Sequence, residues 1–280
     1  MNENPVAVFG FPSEWKDFHE RHKLFFERLP NLKRAQEIAF LRAFTPSKIS
    51  EGVVFFLGRL CGEDFFEILL LCGNGYGFGG MRLLRGMYER AVTARYLHLH
   101  PDDAKSFLDF HWVTKRKQVQ AIKETFGADV LPKDKMDELE AQFRRVEGEF
   151  QVTRCKKCGA KGLNYTWSKL DLVSMAGQAG NLGKLIVPAY YFPTEEAHST
   201  AGGILSRLEE SGEGIRFKDG PGRDKADESL LAGHNILLDV LLLQKEHFGL
   251  EALAEPLGKC FQDFLDIWGR GPKEPNGEGV

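Results

Sequence analysis

At 280 residues the chain has room for one large domain or two small ones. A hydrophobic share of 42%, a charged share of 28% and a net charge of −3 are ordinary for a globular protein. They leave nothing global that points to nucleic acid or to an anionic membrane, although a local basic patch can sit on such a chain.

Residues 1–12 hold no basic region followed by a long apolar run, so no signal peptide is expected. Residues 15–43 read as a first helical region, with Phe18, His22, Phe25, Phe26 and Leu29 at three- and four-residue spacing and Pro30 and Pro46 as punctuation. Residues 51–72 form a second helix rich in Phe and Leu, and 81–99 a third. His100-Pro101 ends the third, because the residue before proline avoids helical geometry. Pro101 then suits the first turn of a fourth helix that runs to about Phe126, with Asp102 and Asp103 at its positive end.

The charged stretch 133–150 predicts a helix that faces solvent or projects. Residues 151–166 are a small irregular Cys/Gly/Lys insertion. A short helix follows at 168–177, with Ser168 and Asp171 placed as a capping pair, and another at 194–210. Residues 211–225 are a glycine-rich loop. Residues 227–248 are apolar nearly all round, which predicts a central buried helix, and 250–268 close the fold. The tail 269–280 is expected to be disordered.

Alternating β-branched residues are almost absent. The expectation is therefore an all-α helical bundle, one domain over 1–268 with its core at about 50–250. The longest apolar runs, 68–72 and 236–243, fall far short of the ~20 residues of a membrane span, so no membrane partner is expected. Five scattered cysteines fit a reducing cytoplasm better than a disulfide framework.

The glycine block Gly73-Asn-Gly75-Tyr-Gly77-Phe-Gly79-Gly80 has two readings. A strand 68–72 could enter a phosphate loop, but the spacing is not Gly-x-Gly-x-x-Gly and no Lys-Ser/Thr follows. The preferred reading is small residues at i and i+4 (Gly73 with Gly77, Gly75 with Gly79) that let another helix approach, with a kink or break in the chain.

On the third helix, Arg82, Arg85, Glu89, Thr93, Tyr96 and His100 fall within about 80° of one another. That line is either a solvated edge with ordinary ion pairs or a cleft whose charges converge on a ligand. Arg85 and Glu89 are one turn apart and can pair. Arg95 lies off the line on an apolar flank and needs a partner or a subunit interface. Tyr190 and His198, in the aromatic segment 190–200, are candidates to face the line, and Trp167 is either core or a stacking platform. The predicted binding residues are thus Arg82, Arg85, Glu89, Tyr96, Trp167, Tyr190 and His198. His234 and Asn235 read as structural, with a hydrogen bond back toward Arg85 and Glu89. Cys155-Lys-Lys-Cys158-Gly159 resembles one zinc knuckle, a reduced loop or a redox pair. Zinc would need a second ligand pair or a second subunit. No other metal and no cofactor is expected. The basic stretches 114–123 and 155–161 suit a phosphate backbone or a solvated face.

Arg95-Tyr-Leu-His-Leu-His100, an Arg and a His five positions apart at a helix end, resembles the motif of the HEPN superfamily, many members of which are metal-independent endoribonucleases. The resemblance implies catalysis by His100 at a ribose 2′-hydroxyl, with Arg95 on the phosphate. It also implies RNA or a nucleotide as partner, and a homodimer. Over about 50–250 the chain further resembles a family of uncharacterised bacterial helical proteins, on the glycine block and on the segments LLRGMYERAVTARYLHLHP, TWSKLDLVSMA and AYYFPTEEAHST. That resemblance implies a fold without an activity.

Overall fold

A computed structural model describes residues 10–127, 132–212, 214–218 and 220–269. The leader expectation for 1–12 and the tail expectation for 269–280 fall almost wholly outside them.

Among the described residues the chain runs through α1 (Pro12–Arg21), α2 (Lys23–Phe40), α3 (Ile49–Gly73), α4 (Gly77–Leu99), α5 (Ala104–Phe126) and α6 (Lys133–Val146). A small hairpin follows, β1 (Gln151–Thr153) with β2 (Lys161–Leu163). Four short helices come next, α7 (Leu172–Ala176), α8 (Asn181–Lys184), α9 (Phe192–Ala197) and α10 (Ala201–Leu205). A second hairpin, β3 (Leu208–Ser211) with β4 (Gly214–Phe217), precedes α11 (Ala226–Phe248) and α12 (Ala254–Trp268). The architecture is an all-α helical bundle, as the sequence predicts. The two hairpins are corrections: three- and four-residue strands are too short to show an alternating pattern.

Three helices make the centre. Phe65 and Ile68 of α3, Leu84, Met87 and Leu97 of α4, and Leu230, Ile236 and Leu237 of α11 are fully buried. Helices this apolar must be enclosed, and α11 takes the central place that its sequence predicts. Helices α2 and α12 pack on one side, and α9 covers α4 on the other. No described helix is long and apolar enough to cross a membrane.

The glycine block is a helix–helix junction and not one continuous small-residue face. Helix α3 ends at Gly73 and α4 begins at Gly77, so the two glycines belong to different helices. Gly75 takes φ +77°, open to glycine at no steric cost, and its carbonyl accepts from Gly222 N–H at 2.9 Å. Gly77 lies directly against the backbone that starts α11. That start is itself strained: Lys225, at φ +63°, is the one described non-glycine residue in the left-handed region.

Other boundaries shift for local reasons. The first helical region breaks at His22, and Pro30 is absorbed inside α2. The predicted helix 194–210 breaks at His198, because Thr200 caps α10 by accepting from Gly203 N–H at 3.0 Å, and then turns into β3. Asp171 alone caps α7, accepting from Ser174 N–H at 2.8 Å. Helix α6 does not project. Phe143 and Val146 pack with Val113 of α5 and with Phe150 into a second, smaller core. Its charges hide one apolar stripe at 139, 143 and 146.

Candidate functional site

With α3 and α11 closing most of α4, its polar line faces the layer of short segments at 167–207. The line divides into two clusters.

In the first, Arg82 Nε donates to the Glu196 carbonyl at 2.9 Å. Arg85 Nε donates to Glu89 Oε1 at 2.9 Å, its Nη1 meets His198 Nε2, and its guanidinium lies 5.1 Å over the Tyr190 ring. Arginine has no acceptor, so His198 Nε2 accepts and the ring hydrogen sits on Nδ1. His198 ends α9 and does not sit one turn inside a helix, which corrects the sequence reading. The Glu196 carboxylate is enclosed by Ser206 Oγ at 2.9 Å and Arg207 at 3.8 Å, while Arg207 stacks on Phe78 at 4.2 Å. The structure thus brings Arg82, Arg85, Glu89, Tyr190 and His198 together. Arg82 Nε is used on the backbone and Arg85 Nε and Nη1 on Glu89 and His198, the pattern of a clamp that ties 190–198 to α4. Arg85→Ala is expected to lower stability by about 1–2 kcal/mol, read as a shift of the urea midpoint. Unchanged stability would remove the clamp.

In the second cluster, Tyr96 donates its hydroxyl to Asp103 Oδ2 at 2.8 Å. Burial first, then the Asp103 carboxylate, push the phenol up to about 12. The Tyr96 ring lies 4.4 Å from that of His100 and meets Trp167 edge-on at 5.9 Å; Phe107 meets Trp167 edge-on at 5.3 Å. Beside them opens a cleft of about 520 Å³, lined among others by Tyr96, Asp103, Glu149, Asn164, Trp167 and Lys169.

At Asn164, one of the residues lining that cleft, helix α5 with its basic stretch meets the basic hairpin. Lys117 of α5 donates to the Asn164 carbonyl at 3.1 Å, which fixes α5 against the end of the β1–β2 hairpin. Tyr165, 78% exposed, stands between them. The Arg154 guanidinium lies 4.2 Å from its ring centroid and Lys117 Nζ 5.8 Å. Lys156, Lys157 and Lys161 are exposed on the same hairpin.

Arg95 and His100 have separate partners. Arg95 pairs with Glu246 of α11, an intrachain answer to its need for a partner. His100 Nε2 meets Gln178 Oε1 at 2.8 Å. Five positions on a helix put them about 140° apart. His234 accepts at Nδ1 from Trp268 Nε1 at 3.1 Å, and Asn235 accepts from Asn181 at 3.4 Å, so neither reaches Arg85 or Glu89. The sequence reading is corrected there: both partners lie far along the chain.

Sequence reasoning missed Tyr165, Asn164, Asp103 and Gln178. For Tyr165 a signal existed, an aromatic four residues after the lysine-rich stretch 155–161. For Asn164 and Gln178 there was none, because each acts through a neighbour distant in sequence; Asp103, seven positions from Tyr96, was read only as a helix-start residue. Also missed was His98 facing His247, Nδ1 to Nδ1 at 2.8 Å, with both pKa values lowered chiefly by burial.

Of the cysteines, Cys61, Cys72 and Cys260 are buried, and burial pushes the Cys72 thiol to about 12 and Cys260 to about 11. Cys155 is lowered, first by the Cys158 N–H bonded to its sulfur. Among the described residues no group of three or more His, Cys, Asp or Glu could hold a metal.

The model of DUF5677, a family of unknown function, matches residues 53–215, more than half of the chain. No curated protein and no solved structure matches.

Proposed function

The chain belongs to the DUF5677 family, whose function is unknown; from that premise we propose, on the site's own chemistry, that it binds single-stranded RNA or a nucleotide at the Tyr165–Trp167 surface. One observation carries the reading: an exposed tyrosine flanked by Arg154 and Lys117, set in the chain between Asn164 and Trp167, which line a cleft of about 520 Å³. Single strands bind where cations track the phosphates and aromatic faces stack bases. Tyr165 would stack one base, the Trp167 cleft would take the next, and Lys117, Arg154, Lys156 and Lys157 would meet phosphates. Asp103 and Glu149 in the cleft suit a base edge that donates hydrogen bonds and disfavour a phosphate there. Such a local patch would supply nucleic-acid affinity in a chain of net charge −3.

We read the protein as a binding module and not a nuclease, because Arg95 is held by Glu246 away from His100. We also read it as one cytoplasmic domain through residue 268.

The test is anisotropy of a short labelled single-stranded RNA. Tyr165→Ala and Trp167→Leu should each weaken binding about 5- to 100-fold, the range of one stacked base. Arg154→Ala should flatten the salt dependence by about one charge. Absence of binding at low salt would overturn the reading. Incubating the RNA with protein in a chelator, wild type beside His100→Ala, separates the roles: intact RNA supports a binding module, and cleavage by wild type alone makes it a metal-independent ribonuclease.

A further inference from the structure

The tip of the β1–β2 hairpin holds two cysteines in an arrangement that neither the fold nor the RNA surface uses. The strands pair in antiparallel register, Thr153 opposite Lys161, and the chain reverses over 154–160. Arg154 N–H donates to the Ala160 carbonyl at 2.7 Å and Gly159 N–H to the Cys155 carbonyl at 2.9 Å. Gly159 takes φ +71°, which lets the chain turn back directly after Cys158. The Cys155 sulfur accepts hydrogen bonds from the Cys158 N–H, the Cys158 thiol and the Lys157 N–H. The side chains of Cys155 and Cys158 are therefore in direct contact at the tip. A Cys-x-x-Cys-Gly hairpin with these features is half of a tetrahedral thiolate site.

Among the described residues the chain does not supply the other half. The three remaining cysteines are buried in the helical core. Among the described residues no third His, Cys, Asp or Glu joins the pair, and the undescribed residues include no cysteine or histidine. The tip itself is open, since residues 156–160 are all exposed. A second copy of the chain offers an identical, equally exposed pair, and a two-fold axis through one ion supplies four sulfurs.

We propose that Cys155 and Cys158 of two chains together bind one zinc ion, which joins the chains as a dimer. Four thiolates around Zn²⁺ leave a net double negative charge. Arg154, Lys156, Lys157 and Lys161 on each tip offset that charge, and the metal in turn offsets the repulsion between two basic tips. Each ligating thiol releases its proton to the buffer as zinc binds, so affinity rises with pH. The inference stands whether or not the surface beside it binds RNA.

The experiment uses the full chain, stripped with a chelator, kept reduced, and titrated with zinc(II) while mass is followed by light scattering. The expected result is about one zinc per two chains, with the mass doubling as zinc is added and halving on return of the chelator. Cobalt(II) in place of zinc should give the intense visible bands of tetrahedral thiolate coordination. Cys155→Ser and Cys158→Ser should abolish metal uptake, cobalt bands and dimer, while the helical circular dichroism is retained because the tip is solvent-exposed. Three results would overturn the proposal: one zinc per monomer, a dimer unaffected by chelator or by the serine variants, or no zinc uptake with Cys155 and Cys158 closing to a disulfide when the reductant is removed.

Discussion

Gly77→Ala is expected to destabilise the protein by about 3 kcal/mol or more, while Gly86→Ala, nine positions further along the same helix, stabilises it by about 0.5–1 kcal/mol. Gly77 is the buried first residue of α4 and Gly86 a half-buried interior one, and the sign of the effect is set by what a methyl group would meet. At Gly77 a Cβ would sit inside contact distance of the Asp224 carbonyl oxygen, the Lys225 carbonyl carbon and the Ala226 nitrogen. All three are backbone, and none can rotate away. The segment 224–226 cannot yield either. Lys225 is already in the left-handed region, Gly222 N–H is bonded to the Gly75 carbonyl at 2.9 Å, and Ser229 of the next turn donates to the Gly77 carbonyl at 3.2 Å. Pushing this start away from α4 would shift α11, whose Leu230, Ile236 and Leu237 are fully buried. At Gly86 the nearest atom is Arg90 Nη1 at 3.5 Å, the far end of a flexible side chain, so alanine there supplies helix propensity alone. Urea unfolding of both variants reads the contrast directly. Equal effects of the same sign would mean that the junction does not hold α11 in place.

That junction shows how far the sequence can be read. Five glycines before a helix correctly signalled close approach and a break. The partner was invisible, because Gly77 meets a segment nearly 150 positions later. The helices α3, α4 and α11 were legible for the opposite reason: each carries its own evidence in a long, mostly apolar run. The charges of α6 concealed a stripe of three residues. The short strands had no period to detect, and with them went the hairpin that carries Tyr165 and the two cysteines.

The polar line of α4 was legible as a line. Its division was not. Arg85 and Glu89 pair within the helix, which spacing alone predicts. Apart from Asp103, seven positions from Tyr96, the partners that decide what each end does, His198 and Glu196 at one and Trp167 and Gln178 at the other, come from segments whose positions rest on long-range packing. Arg95 and His100 illustrate the limit of a short motif: their spacing is visible, but the Glu246 that engages Arg95 is 151 positions away.

Acid is expected to remove about 3 kcal/mol of stability through His234 alone between pH 7 and pH 4. The side chain is 3% exposed in the middle of α11, among the rings of Phe25, Phe65 and Phe264. Burial lowers its pKa to about 4. Its Nδ1 accepts from Trp268 Nε1, so a proton on that nitrogen would also break the bond that fixes the end of α12. Arg28 and Asp263, which line the same small cavity, pair with each other at 3.6 Å, and burial is what lowers the imidazole. Because the folded pKa lies below the unfolded value of about 6.5, the unfolded chain takes the proton first. The contribution is therefore complete above about pH 6.5 and is lost as pH falls toward 4. His98 and His247, lowered by the same cause, act in the same direction; Asp64 and Asp239, raised by burial, act against it. Only a difference between variants isolates His234. In His234→Asn, which keeps an oxygen acceptor for Trp268 and cannot titrate, the fall in unfolding free energy from pH 7 to pH 4 should be smaller than in wild type by about 3 kcal/mol. Parallel profiles for the two proteins would show that the proton reaches this ring without cost and that the core around α11 opens to water before it unfolds.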